Sequence, residues 1–174
     1  TLVQYNKQMT FIEAIKYLCS ILGIGYKWNK PVVKKADKFN PLDIFEKHKT
    51  LIYDCIKDAS SLHDAAGQRY GELCYGVHLL GVYEYVHKFG YNAAQTEDDV
   101  LVLFISGAYH DVIEDTDIDE SGLLSRLPDV LSDTLKSRIV DIVSALTAPP
   151  GKNRKERHCE AYYEKIRKCP FASF

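Results

Sequence analysis

The chain has 174 residues, 46% of them apolar, and a formal net charge of −2. That length and apolar share suffice for one domain with a sizeable core, or for one domain with an appendage. The near-neutral charge excludes a generic binder of nucleic acid or other polyanions, so an anionic ligand must be met by a local cluster of Lys and Arg.

The five cysteines (Cys19, Cys55, Cys74, Cys159 and Cys169) form no C-x-x-C pair. An odd count without metal-type spacing points to reduced thiols in a cytoplasmic protein. No stretch approaches the ~18 apolar residues of a membrane span, and Thr1-Leu2-Val3-Gln4 lacks the charged and apolar regions of a secretory signal. A chain that opens on Thr1 in place of Met is expected to be a piece of a longer product.

In chain order, residues 10–22 read as an amphipathic helix. Thr10 and Glu13 make a capping box, Phe11, Ile15, Leu18 and Leu22 share a face, and Gly23 and Gly25 end it. A basic linker follows over 26–40. Asn40 and Pro41 then start a helix expected to reach Ala66, with an apolar stripe of Leu42, Phe45, Leu51, Ile52, Cys55, Ile56 and Ala59. Gly67 to Gly76 reads as a loose stretch. Residues 77–88 form the next helix, stopped by Gly90. Thr96 with Glu97, Asp98 and Asp99 marks a strong start, a hydroxyl cap with acids in the first turn. From there to about Val112 the sequence is apolar nearly all round, as in the central helix of a bundle. An acidic loop over 115–121, a short helix at 123–127, a longer one at 132–146, the Pro149-Pro150-Gly151 break and a charged helix at 153–168 complete the chain. No strand alternation is evident. The expected fold is an all-α bundle over 41–174 with an N-terminal helical extension over 1–40. The extension either packs on the bundle or mediates contacts of a homodimer.

Chemical groups are most concentrated at His110-Asp111-Val112-Ile113-Glu114-Asp115. A His-Asp pair offers two ligand types for a transition metal, and two more carboxylates one turn on can orient or deprotonate a water. A lone His-Asp dipeptide carries little weight, being common at helix ends. This one is joined by His78, on a helix that must pack against the central one. The remaining candidates have plainer readings: His63 is structural, His87 and His158 are surface histidines, and Cys74 is a packed thiol.

A histidine followed by a His-Asp pair on an adjacent helix resembles the HD-domain metal phosphohydrolases. The segment His110 to Asp117 (HDVIEDTD) is similar to the signature of the RelA/SpoT alarmone hydrolases, including their small stand-alone homologues. Tyr75-Gly76-Val77-His78 resembles the family's Tyr-x-x-His, Ala59-x-x-x-His63 its Ala-x-x-x-His, and Leu146-Thr147 its Val-Thr element. Arg69 stands nine residues before His78, where the family has an arginine that stacks on guanine. The resemblance covers about residues 45–170. It implies Mn2+, or another divalent metal, held by His78, His110 and Asp111, with Glu114 and Asp115 activating water. It also implies release of the 3′-pyrophosphate from guanosine tetra- or pentaphosphate (ppGpp or pppGpp). Arg69 and Thr147 would contact the nucleotide. Lys152 and Arg154, with Lys155 and Arg157, would reach the pyrophosphate unless they form only a solvated helix face. The implied partner is thus a guanine nucleotide, with no membrane and no direct nucleic-acid contact.

Three departures accompany the likeness. The family's fourth ligand lies in a Leu-Ala-Asp-Arg-Leu-x-Asn stretch, expected to begin about where this sequence reaches Phe174. The family's Lys-Ser after the stacking arginine reads Tyr70-Gly71 here, which removes a lysine near the phosphates. The polar approach to the central helix, Tyr91–Asp98, is longer than usual. Two alternatives stay open: an HD phosphohydrolase for another nucleotide, such as NADPH or an adenosine analogue of the alarmone, and a module that binds alarmone without cleaving it.

Overall fold

The computed structural model describes residues 39–169 and 171–173. The chain divides into two units, Thr1–Lys38 and Phe39–Phe174. The helix expected over 10–22 and most of the basic linker fall outside the described residues. The second unit is all-α, as expected, apart from one minimal hairpin.

Helix α1 spans Pro41–Ala65. Asn40 caps it by accepting from Leu42 N (3.2 Å), and Pro41 occupies the first position, where its missing N–H costs nothing. Phe45, Ile52, Cys55, Ile56 and Ala59 are buried as expected, whereas Leu42, in the first turn, is exposed. The stretch after α1 is not loose. Arg69–Tyr70 (β1) pairs antiparallel with Leu73–Cys74 (β2) around a tight turn. Gly71 holds φ +60° in that turn, a conformation that disfavours a side chain. Strands of two residues are too short to show alternation in a sequence. Cys74, expected to be packed, is exposed.

Helix α2, Gly76–Phe89, runs into a single 3-10 turn at Gly90–Asn92. Helix α3, Glu97–Tyr109, is the centre of this unit and packs on α1, α2 and the helix over Asp133–Leu146. Its start is a full capping box: Thr96 Oγ1 accepts from Asp99 N (3.2 Å), and Asp99 Oδ2 accepts from Thr96 N (3.1 Å). Every residue from Val100 to Ile105 is buried, so the all-round apolar sequence reports a helix enclosed on all sides.

The expected continuation of α3 to Val112 is not observed. The helix stops at Tyr109, and Val112–Asp115 forms a separate turn, α4. Helix α5 spans Glu120–Arg126 and is capped by Asp119, three residues before the expected start. Helix α6 spans Asp133–Leu146 and is capped by Ser132. The charged helix expected over 153–168 is two helices, α7 (Arg154–Arg157) and α8 (Glu160–Lys168), separated at His158-Cys159. Among the described residues no helix is long and apolar enough to cross a membrane.

Candidate metal centre

The N-terminus of α2 delivers His78. It approaches α1 so closely that a Cβ on Gly76 would lie 2.7 Å from Ser60 Oγ, which explains a glycine in Tyr75-Gly76-Val77-His78. On the other side, the break between α3 and α4 delivers His110 and Asp111. His110 closes α3 and Asp111 opens α4, with Asp115 N donating to Asp111 O (2.8 Å). The interrupted helix therefore turns both side chains toward α2.

Three ligand groups meet there. His78 Nε2 lies 3.2 Å from His110 Nε2 and 3.3 Å from Asp111 Oδ2, while His110 Nε2 meets Asp111 Oδ1. His110 Nδ1 lies 2.9 Å from Gly107 O. A carbonyl only accepts, so the ring proton sits on Nδ1 and Nε2 presents a lone pair. Burial depresses His110 to about 4, against the opposing pull of the Gly107 carbonyl, and burial also lowers His78. Both rings are therefore neutral near pH 7.

The bare His110 Nε2 and the Asp111 carboxylate facing each other repel unless something positive stands between them. Ligands bound at about 2.1 Å lie about 3.0 Å apart in octahedral arrangement and about 3.4 Å apart in tetrahedral arrangement. The 3.2 and 3.3 Å from His78 Nε2 to its two neighbours fall in that interval, whereas His110 Nε2 and Asp111 Oδ1 stand closer than two ligands of one ion and would have to part around it. The three side chains are of the right kind and gathered closely enough to hold a metal ion. Among the described residues no fourth acid or imidazole joins this group.

Glu114 and Asp115 follow on α4. Glu114 is held by two donors: Ala148 N reaches Oε2 (3.0 Å) and Arg157 Nη1 reaches Oε1 (2.7 Å). Tyr75 donates its hydroxyl to Asp111 Oδ2 and to Asp115 Oδ2 (3.0 Å). Burial, reinforced by the Asp115 contact, raises the Tyr75 phenol far above its ordinary range, so it keeps its proton. His110, Asp111, Glu114, Asp115, Leu146, His158 and Tyr162 line a cleft of about 250 Å³. A second cavity of about 270 Å³ touches His110 from its other side, but its walls hold no carboxylate. The carboxylates therefore face the polar cleft and not the apolar one.

Five of the residues predicted from sequence, His78, His110, Asp111, Glu114 and Asp115, thus come together. The other four are not drawn into the cluster. Arg69 is exposed on the hairpin and bonds the Glu72 carbonyl at 3.4 Å. Thr147 turns its hydroxyl back to Val143 O (2.9 Å) and lines a separate groove. Lys152 and Arg154 are exposed. Three residues have site positions that the sequence reading did not assign, and a fourth, Arg157, expected to reach the pyrophosphate, takes a different one. Tyr75 bridges two acids. Arg157 pairs with Glu114. His158, expected at the surface, lines the cleft, as does Tyr162, whose hydroxyl donates to Leu146 O (2.8 Å). The Tyr-x-x-His spacing was a signal for Tyr75 and the basic run from Lys152 for Arg157; His158 and Tyr162 carried none. Tyr70, in the place of the missing lysine, stacks its ring on His78 at 5.3 Å.

No model of a known protein family matches the chain, and no curated protein or solved structure matches it.

Proposed function

We propose that this chain is a metal-dependent phosphohydrolase of the HD type that removes the 3′-pyrophosphate of guanosine tetra- or pentaphosphate. The observation that supports the reaction class is the convergence of the possible metal ligands His78, His110 and Asp111, with two further carboxylates on the adjoining turn. The substrate rests on the likeness of His110–Asp117, Tyr75–His78 and Arg69 to the alarmone hydrolases.

A divalent ion such as Mn2+ bound there would polarise a phosphoryl oxygen and acidify a water. The chain's own residues do the rest. Glu114 and Asp115 orient the attacking water and take its proton. The water oxygen bonds to the phosphorus attached to the ribose 3′ oxygen, the bond between them breaks, and the 3′ oxygen gains a proton. GDP or GTP and pyrophosphate leave. Tyr75 keeps Asp111 and Asp115 in register, and Arg157 holds Glu114. Arg69, already exposed on the hairpin, has a planar guanidinium suited to a purine face.

The test is incubation of the chelator-treated protein with guanosine tetraphosphate, with and without added Mn2+, following pyrophosphate release. Mn2+-dependent formation of GDP and pyrophosphate is the expected result. Nucleotide bound without release would replace the enzyme with a binding module, and neither binding nor release would remove the guanine nucleotide from the proposal.

A further inference from the structure

A third imidazole lies behind the three ligands, and the proposed reaction leaves it unused. His63, near the end of α1, is 0% exposed. Its Nδ1 lies 2.8 Å from Ala59 O, which places the proton there and leaves a lone pair on Nε2. That Nε2 is buried and has no hydrogen-bond partner. A buried polar atom without a partner is destabilising, and such atoms are rare enough in folded proteins to require an explanation.

Its surroundings supply one. The ring lies flat on Tyr75, with centroids 4.0 Å apart and planes 5° from parallel. His63, Asp111 and Asp115 each offer a ligand atom within 4.8 Å of the other two. Two half-buried carboxylates and a buried bare nitrogen thus share a space in which the Tyr75 hydroxyl supplies a single proton. His63 also repeats the arrangement of His110: Nδ1 donates to a carbonyl one turn back on its own helix, and Nε2 is left bare. A histidine that ligates a metal is oriented in that way.

We propose that His63, Asp111 and Asp115 form a second divalent-cation site, with the Asp111 carboxylate shared between it and the site at His78 and His110. The donor set of one imidazole and two carboxylates suits Mn2+, Fe2+ or Zn2+ better than Mg2+ or Ca2+, which favour all-oxygen shells. Opposed ligands of such an ion stand about 4.2 Å apart and adjacent ones about 3.0 Å, so ligand atoms that lie within 4.8 Å of one another would draw together around it. Paired ions in phosphoryl-transfer sites lie about 3.5–4 Å apart, a separation one shared carboxylate can span. Two divalent ions against Asp111 and Asp115 leave a net positive charge, which complements a pyrophosphate group.

The inference rests on the proposed metal centre, and metal binding separates the two. The chelator-treated protein is dialysed against Mn2+, the bound metal is measured, and the low-temperature paramagnetic resonance spectrum is recorded. Two ions per chain with an exchange-coupled spectrum are expected. His63→Gln should keep one ion and show the hyperfine pattern of isolated Mn2+, while circular dichroism stays that of the parent. One ion per chain with an isolated-ion spectrum in the parent protein would overturn the second site and leave the first. Two coupled ions unaffected by His63→Gln would overturn the assignment to His63. No bound ion would overturn the metal centre itself. If His63→Gln does not fold, the stoichiometry and coupling in the parent protein still decide.

Discussion

Glu114 is an acid with both oxygens engaged, by Ala148 N and by Arg157 Nη1. Those donors set its direction, and its chemistry needs the remaining lone pairs to hold a water. Glu114→Gln keeps one acceptor oxygen for Ala148 N but turns an amide toward Arg157 or toward the water, and it cannot take a proton. Turnover of guanosine tetraphosphate is expected to fall ~100-fold or more, the usual scale for losing a general base. Bound metal should be unchanged, because Glu114 is not among the ligands. Measuring turnover and metal content on one preparation checks both halves. Full activity in Glu114→Gln would remove Glu114 from the reaction.

At the scale of elements, three helices are tied by one carboxylate. Asp58 of α1 accepts from Arg126 of α5 through Nε and Nη2, both at 2.6 Å, and from the hydroxyl of Tyr109, the last residue of α3, at 2.9 Å. Tyr109 is only 1% exposed, so its hydroxyl has no recourse to water. It stands immediately before His110, where α3 must stop for His110 and Asp111 to turn toward α2. Asp58→Ala should cost about 2 kcal/mol, the typical penalty for a buried donor stripped of a charged acceptor. Asp58→Ala combined with Tyr109→Phe should cost no more than Asp58→Ala alone, because the stranded hydroxyl is then gone. Urea unfolding of the parent, the single variant and the double variant measures this. Strictly additive losses would show that the three-way contact holds nothing together.

The same elements show what was legible in the sequence. The start of α3 was, because a hydroxyl followed by three acids is a local signal that needs no tertiary context. The end of α3 was not. Val112 and Ile113 continue the apolar pattern through the break, and the interruption is visible only in the fold. The hairpin and the split between α7 and α8 were missed for the related reason that each is shorter than any periodicity. The centre was legible where its residues are contiguous or one helix apart, as with His110, Asp111, Glu114, Asp115 and His78. It was not legible where an aromatic side chain arrives from a distant turn, as His158 and Tyr162 do. Nor does a run such as Lys152 to Arg157 reveal which of its cations will turn inward.

For the molecule as a whole, these arrangements make folding sensitive to acid in two steps. Burial holds His110 at about 4 in the folded chain, against an ordinary 6.5. As pH falls from about 6.5 toward 4, the unfolded chain takes up a proton that the folded chain refuses, so unfolding is favoured. A gap of that size corresponds to about 3 kcal/mol at most. Its stabilising effect is complete above pH 6.5 and lost through that window. Asp99 acts lower. Its burial would raise it, but the Arg138 guanidinium at 2.8 Å and the backbone N–H groups of Gln95 and Thr96 outweigh burial and hold it below the usual carboxylate range. Its contribution is present above the ordinary carboxylate value and lost as pH falls through the lowered one. Urea unfolding of the metal-free protein should therefore weaken first between about pH 6.5 and 4, then again below the carboxylate range. Asp99→Asn should weaken the protein at neutral pH and flatten the second fall while leaving the first. Stability that held level from pH 7 to 5 would mean that His110 is not kept neutral by the fold, and the bare nitrogen offered to a metal would lose its physical basis.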